Sequence, residues 1–122
     1  MPLMELTSKD ALGLLAKGEF EAARGLFQKM LERAQPESEG RVEALLGLGL
    51  CDRSENRLHS AVEHFERSLT LRPNLAAVEN LLALYRELGD EEKRRAAARK
   101  ALEMEFLPSG QRARLVMIAG NA

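Results

Sequence analysis

Leu45-Leu46-Gly47-Leu48-Gly49-Leu50, followed by Asn56, Leu58, Ala61, Phe65, Ser68, Leu69 and Pro73, is the stretch around which the rest of the chain is organised. Two variants of it occur elsewhere. Ala11-Leu12-Gly13-Leu14-Leu15 leads to Gly18, Phe20, Ala23, Phe27 and Leu31, and Leu81-Leu82-Ala83-Leu84-Tyr85 leads to Gly89-Asp90, Ala98, Ala101 and Leu102. Gly18, Phe20, Ala23, Phe27 and Leu31 stand 38 positions before Asn56, Leu58, Ala61, Phe65 and Leu69. Asn56, Ser68 and Leu69 stand 33 positions before Gly89, Ala101 and Leu102. Several positions that share one offset mark an internal repeat.

Each unit reads as two helices joined by a tight turn. In the first, Thr7 can cap a helix ending near Lys17, Gly18 supplies the left-handed turn residue, and a second helix covers about 19–34. In the second, helices over about 37–53 and 57–71 flank Asn56, the residue after Gly that best tolerates a left-handed backbone. In the third, Asn74 caps a helix to Leu88, Gly89 ends it, and Asp90 caps another to about Glu105. Ala23, Ala61 and Ala98 are placed where paired helices approach closely, with Phe27 and Phe65 filling the space one turn later. Pro108-Ser109 can cap a final helix over about 110–119. Its run Leu115-Val116-Met117-Ile118 cannot face one neighbour entirely, because successive helical side chains diverge by about 100°. Part of this run is either surface for self-association or loose packing at an array end.

Composition agrees with helices throughout. The chain has 122 residues, enough for a single domain over 1–122, and Leu, Ala, Glu and Arg, all good helix formers, dominate it. Val, Ile and Thr, which sheets favour, are few, and the prolines (Pro2, Pro36, Pro73, Pro108) fall between helical patterns. Lys and Arg number 18 against 19 Asp and Glu, a balance that speaks against a dedicated nucleic-acid or membrane-surface binder. The aromatic fraction of 4% without Trp leaves no base-stacking platform. One cysteine, Cys51, forms no intramolecular disulfide, no secretory leader is evident at the N-terminus, and no apolar run nears the roughly 18 residues needed to span a bilayer. A cytoplasmic address is the expectation.

The repeats resemble the tetratricopeptide (TPR) unit of about 34 residues. In the middle unit Leu45 stands at the family's usual Trp, Leu48-Gly49 at its Leu-Gly pair, and Ala61, Phe65 and Pro73 at later landmarks. Asp52 replaces the usual Tyr and Ser68 the usual Ala. The third unit keeps Tyr85, Gly89 and Ala101 but has Arg94 where Ala is expected. The first keeps Ala23 and Phe27 but has Asp10 at a normally apolar place, and extra residues before Val42 fit a longer loop or an added turn around Pro36-Glu37-Ser38. The resemblance implies an all-α, right-handed solenoid of about three antiparallel helix pairs (about 4–36, 37–74 and 75–107) plus a C-terminal capping helix (about 109–120).

Chemistry is scarce. His59 and His64 are five apart, which does not place them together on a helix face, so they read as surface histidines rather than as a metal site. Cys51 reads as a buried small residue. Gly47 and Gly49 lie inside a helix without the companions of a phosphate loop, and helix packing explains them. Lys93-Arg94-Arg95 and Arg99-Lys100 lie among Glu91, Glu92, Glu103 and Glu105 and read as a solvated face with intrahelical pairs. No catalytic set, metal or cofactor is expected, and no enzyme.

In the TPR family the first helix of each pair lines a concave groove. The resemblance places Ser8, Leu12 and Leu15 there from the first unit, Leu46, Leu50 and Arg53 from the second, and Glu79, Ala83 and Arg86 from the third. An apolar floor with arginines at its edge suits a helix or extended peptide of a partner protein carrying acidic groups. Leu46 and Leu50 serve equally well as packing between repeats. The places of the carboxylate clamp that binds heat-shock chaperone tails hold Ser8, Leu12, Gly47, Ala76 and Asn80, so that partner is not expected. The functional expectation is a protein–protein adaptor; the alternative is a homodimer built through the groove or the C-terminal helix.

Overall fold

Helix-forming segments punctuated by Gly, Asn and Pro leave the backbone one way to satisfy its hydrogen bonds, as short helices with tight turns between them. The computed structural model describes residues 8–105 and 107–120. Among them are seven helices and no strand: α1 (Ser8–Ala16), α2 (Phe20–Arg33), α3 (Glu39–Ser54), α4 (Leu58–Leu71), α5 (Leu75–Glu87), α6 (Glu91–Ala101) and α7 (Ser109–Ala119). The chain divides into two compact units, 1–72 and 73–122. In the first, α2 packs on α1, α3 on α2 and α1, and α4 on α3. In the second, α6 packs on α5 and α7 on α6.

The three turns within the pairs are copies of one another. Gly18, Asn56 and Gly89 have φ of 81°, 61° and 73°, the left-handed region expected of them. In each turn the following amide reaches back to a carbonyl five residues earlier: Glu19 to Leu14 at 2.9 Å, Arg57 to Asp52 at 2.7 Å, and Asp90 to Tyr85 at 2.8 Å. This is the bond that closes a helix ending on a left-handed residue and satisfies an orphan carbonyl. The repeat seen in the sequence is thus a repeat of backbone geometry.

Helix boundaries follow the capping chemistry; three of them, and one packing position, differ from expectation. Asn74 Oδ1 accepts from Ala77 N–H at 2.8 Å and Asp90 Oδ1 from Lys93 N–H at 3.1 Å, as foreseen. The third helix, however, starts at Glu39 rather than Glu37. Glu37 is left-handed at φ 62°, and Ser38 caps the helix by accepting from Arg41 N–H at 3.2 Å. The sixth helix ends at Ala101 rather than near Glu105, because the amides of Glu103 and Met104 tighten to carbonyls three residues back, at 3.1 and 3.0 Å. Ser109 lies inside α7 and makes no cap bond. Thr7 lies outside the described residues.

The fourth difference concerns Ala98. It is fully buried like Ala23 and Ala61, but the 33-residue offset makes it the counterpart of Phe65, and Arg94 that of Ala61. Leu82, the counterpart of Gly49, is buried too. The middle pair therefore sets a glycine on its first helix against a phenylalanine on its second. The third pair carries a leucine and an alanine at the same places, so the bulk has moved to the other helix.

Close packing is tightest around α3. A Cβ built on Gly47 would lie 2.1 Å from the Phe27 ring, and one on Gly49 would lie 2.7 Å from the Phe65 ring. Both rings are almost wholly buried. Phe27 joins Ala11, Ala23, Leu48 and Cys51 in a core that Leu14, Leu15, Leu26, Met30 and Leu31 pack against. Gly13, by contrast, has open space where a methyl would go. Gly47→Ala is expected to lower the unfolding free energy by about 2 kcal/mol through overpacking. Gly13→Ala should raise it by about 0.5 kcal/mol through helix propensity. Urea denaturation of the two variants checks both signs.

Candidate functional site

The third helix is buried on nearly every side. Val42, Ala44, Leu45, Gly47, Leu48, Gly49, Cys51 and Asp52 are all buried and Arg41 is half-buried on a separate side; the main accessible strip carries Glu43, exposed, and Leu46, Leu50 and Arg53, half-buried. Spacings of three and four place these on a single face. On the adjoining α1, Leu12 is 43% exposed, Ser8 is half-buried, and Leu15 packs against the core beside Phe27. In the second unit, Glu79 and Ala83 are half-buried and Arg86 is exposed, again along one helix face. Glu79 is engaged there: its Oε2 accepts from Arg114 of α7 at 2.5 Å. The two strips belong to separate units. Of the chaperone-clamp places, Gly47 lies under the Phe27 ring and Asn80 donates to the Ala76 carbonyl at 2.9 Å.

Sequence reasoning missed a polar cluster where three helices meet. Asp52 of α3 is 1% exposed. Its Oδ1 accepts from Arg24 Nη1 of α2 at 2.8 Å, and its Oδ2 accepts from Ser60 Oγ at 2.7 Å and His64 Nδ1 at 2.6 Å, both from α4. Arg24 Nη2 also donates to Glu55. His64 is therefore not the surface histidine expected from the sequence: its ring is one-fifth exposed and tied to Asp52, whereas His59 is exposed. Ser60 and His64 stand one turn apart, so α4 presents both to one carboxylate. That spacing, and an aspartate directly after Cys51 in an apolar run, are the sequence signals of the cluster.

Tetratricopeptide repeat family models match residues 10–74 and 76–106. The chain belongs to the tetratricopeptide repeat family. Repeats of this family are generally protein–protein interaction modules and typically not catalytic. No curated protein matches the chain. In this TPR protein Asp52, with its ion pairs, occupies the place where the family's usual Tyr was expected.

Elsewhere the TPR scaffold offers little for chemistry. Among the described residues no group of three His, Cys, Asp or Glu side chains is arranged to hold a metal ion, and no helix is long and apolar enough to cross a membrane. An open groove of about 600 Å³ in the first unit is lined by Arg41, Leu45, Glu63, Glu66, Arg67, Thr70 and Leu71, a mixture of both charges on an apolar base. The basic helix α6 is partly neutralised as expected: Arg94 pairs with Glu91 at 2.9 Å, Arg95 with Glu91 at 3.9 Å and Lys93 with Asp90 at 4.0 Å.

Burial alone would raise the Asp52 carboxyl, but hydrogen bonds from Ser60, Arg24 and His64 outweigh it and hold it below the usual carboxylate range. Burial pushes the neighbouring Cys51 thiol up, against the pull of Arg24. A carboxyl whose pKa is lower in the folded than in the unfolded chain adds stability above its unfolded value, near 3.9. That stability is lost as pH falls through the folded value. Asp52→Asn is expected to cost about 2–3 kcal/mol at pH 7, since it leaves Arg24 with Glu55 alone in a half-buried place. It should also flatten the loss of stability below about pH 4. Urea midpoints of the two proteins between pH 3 and 7 test both effects; parallel curves would show that Asp52 is not linked to folding.

Proposed function

We propose that this TPR protein is a non-catalytic adaptor that captures a peptide or helix of a partner protein on the first helices of its repeats. The observation that carries the reading is the partly apolar accessible strip of α3. Eight of its residues are buried, and the large apolar side chains that keep access to solvent are the one-turn pair Leu46 and Leu50, with Arg53 following. Two half-buried leucines side by side give a partner apolar area to cover, and each well-covered leucine contributes about 1.5–3 kcal/mol. The helices that present them are packed before the partner arrives, so binding loses less conformational entropy than a flexible surface would. Leu12 on α1 extends this surface within the first unit. Glu79, Ala83 and Arg86 form the corresponding strip of the second unit, where the pairing of Glu79 with Arg114 leaves Arg86 as the accessible charge.

A partner segment that covers Leu46 and Leu50 with apolar groups fits the strip of the first unit, and one that offers a carboxylate to Arg86 fits that of the second. The test uses peptides selected on the purified protein from a random library. Leu50→Glu is expected to weaken their binding by a hundredfold or more while circular dichroism stays near wild type. Retained binding would place the partner elsewhere. Loss of helical signal would show that Leu50 supports the core, and the milder Leu46→Gln would then be read in its place.

A further inference from the structure

α7 buries one side and leaves the other uncovered. Leu115 and Ala119 are buried, with Gln111 and Ile118 half-buried beside them. Val116 is 49% and Met117 82% exposed, and Gly110, Ala113 and Gly120 are exposed with them. At about 100° per residue these five form one continuous ridge, with Arg112 on one border and Arg114 on the other. No acidic residue lies in the helix.

Both arginines fasten the helix; Arg112 keeps its positive charge, whereas that of Arg114 is balanced by Glu79. Arg112 donates from Nη1 to the Leu102 carbonyl at 3.4 Å and from Nη2 to the Met104 carbonyl at 3.5 Å, neutral acceptors that hold the side chain but leave its charge. Arg114 pairs with Glu79 and is still half exposed. At the other end, Arg99 of α6 donates to the Ala119 carbonyl at 3.5 Å, a cation at a helix C-terminus. The ridge is thus held by polar contacts while Val116 keeps half, and Met117 most, of its surface uncovered.

We propose that the Val116–Met117 face of α7 is a second docking surface, and that its occupant is an amphipathic helix of another protein with carboxylates flanking its apolar side. The small residues Gly110, Ala113 and Gly120 let a helix backbone approach closely. Val116 and Met117 supply apolar contact, with methionine adapting to the shape laid on it. Arg112 faces acidic groups on one flank, and the exposed half of Arg114, shared with Glu79, meets them on the other. A second copy is a poor occupant, because α7 against α7 sets arginines against arginines with no carboxylate on either helix. This surface is independent of the α3 strip.

The probe is a labelled 21-residue peptide of three heptads with Leu at the first and fourth positions and Glu on both flanks, compared with its Lys counterpart by fluorescence anisotropy on the full chain. The acidic peptide is expected to bind saturably and at least about tenfold more tightly than the basic one, and to weaken as salt is raised. Met117→Gln should reduce its affinity about tenfold with an unchanged urea midpoint, because the side chain is almost free of protein contact. Leu50→Glu should leave it unchanged. Equal binding of the two peptides, indifference to Met117→Gln, or loss through Leu50→Glu would overturn the proposal. It would equally be overturned by a mass that doubles with concentration in the wild type but not in Met117→Gln, which would assign the face to a second copy. Met117-dependent binding to anionic phospholipid vesicles without peptide binding would assign it to a lipid surface.

Discussion

The first unit depends on two side chains that are absent. Gly47 and Gly49 sit on opposite-facing parts of α3, and each is met by a phenylalanine ring where its own Cβ would otherwise be, Phe27 from α2 and Phe65 from α4. Glycine inside a helix costs about 1 kcal/mol relative to alanine. The chain accepts this cost twice within three residues because two aromatic rings can then occupy the space beside the α3 backbone that a Cβ would fill. Two buried rings recover more than this, at about 1.5–3 kcal/mol each. With neighbours pressed to both flanks, α3 keeps the Leu46 and Leu50 strip open, the surface proposed above for the partner. On that proposal, packing and function are two consequences of one arrangement.

The repeats meet the same demand with different residues. The first pair sets Ala11 and Phe27 in one core, the middle pair sets Gly49 under Phe65, and the third carries Leu82 and Ala98, all buried. What is kept is the filled volume between two helices, not the identity of either side chain, as expected of interiors packed near crystal density. The Asp52 cluster is a further substitution of this kind. At the usual place of an aromatic, a carboxylate is made tolerable in the interior by Arg24, Ser60 and His64, which hold three helices together through bonds rather than through area. Ser68, also buried, stands where a small apolar residue was expected.

Much of this was legible in the sequence, and the reasons are local. Gly18, Asn56 and Gly89 announced the turns because few residues accept a left-handed backbone, and their shared offsets announced the repeat. Asn74 and Asp90 announced helix starts because their side chains replace missing amide partners. The α3 strip was legible only through family resemblance, since helical spacing shows that Leu46, Leu50 and Arg53 share a face without showing that the face is open. The Asp52 cluster leaves only the Ser60 and His64 spacing and an aspartate in an apolar run as traces, because its members come from three helices and are brought together by tertiary packing. His64 was weighed against His59 along the chain when its partner lay across it. The pairing of Glu79 with Arg114, 35 residues away, was hidden for the same reason.

The central claim is that contact between the Phe27 ring and the bare backbone at Gly47 organises the first unit. A double-mutant cycle tests it most directly, with Gly47→Ala, Phe27→Leu and their combination compared by urea unfolding. If the ring occupies the space the new methyl needs, the alanine should be much less damaging once the ring is replaced by a smaller side chain. The coupling should then be about 1 kcal/mol or more. Strict additivity of the two substitutions would contradict the account, since it would mean that Gly47 and Phe27 do not share that space.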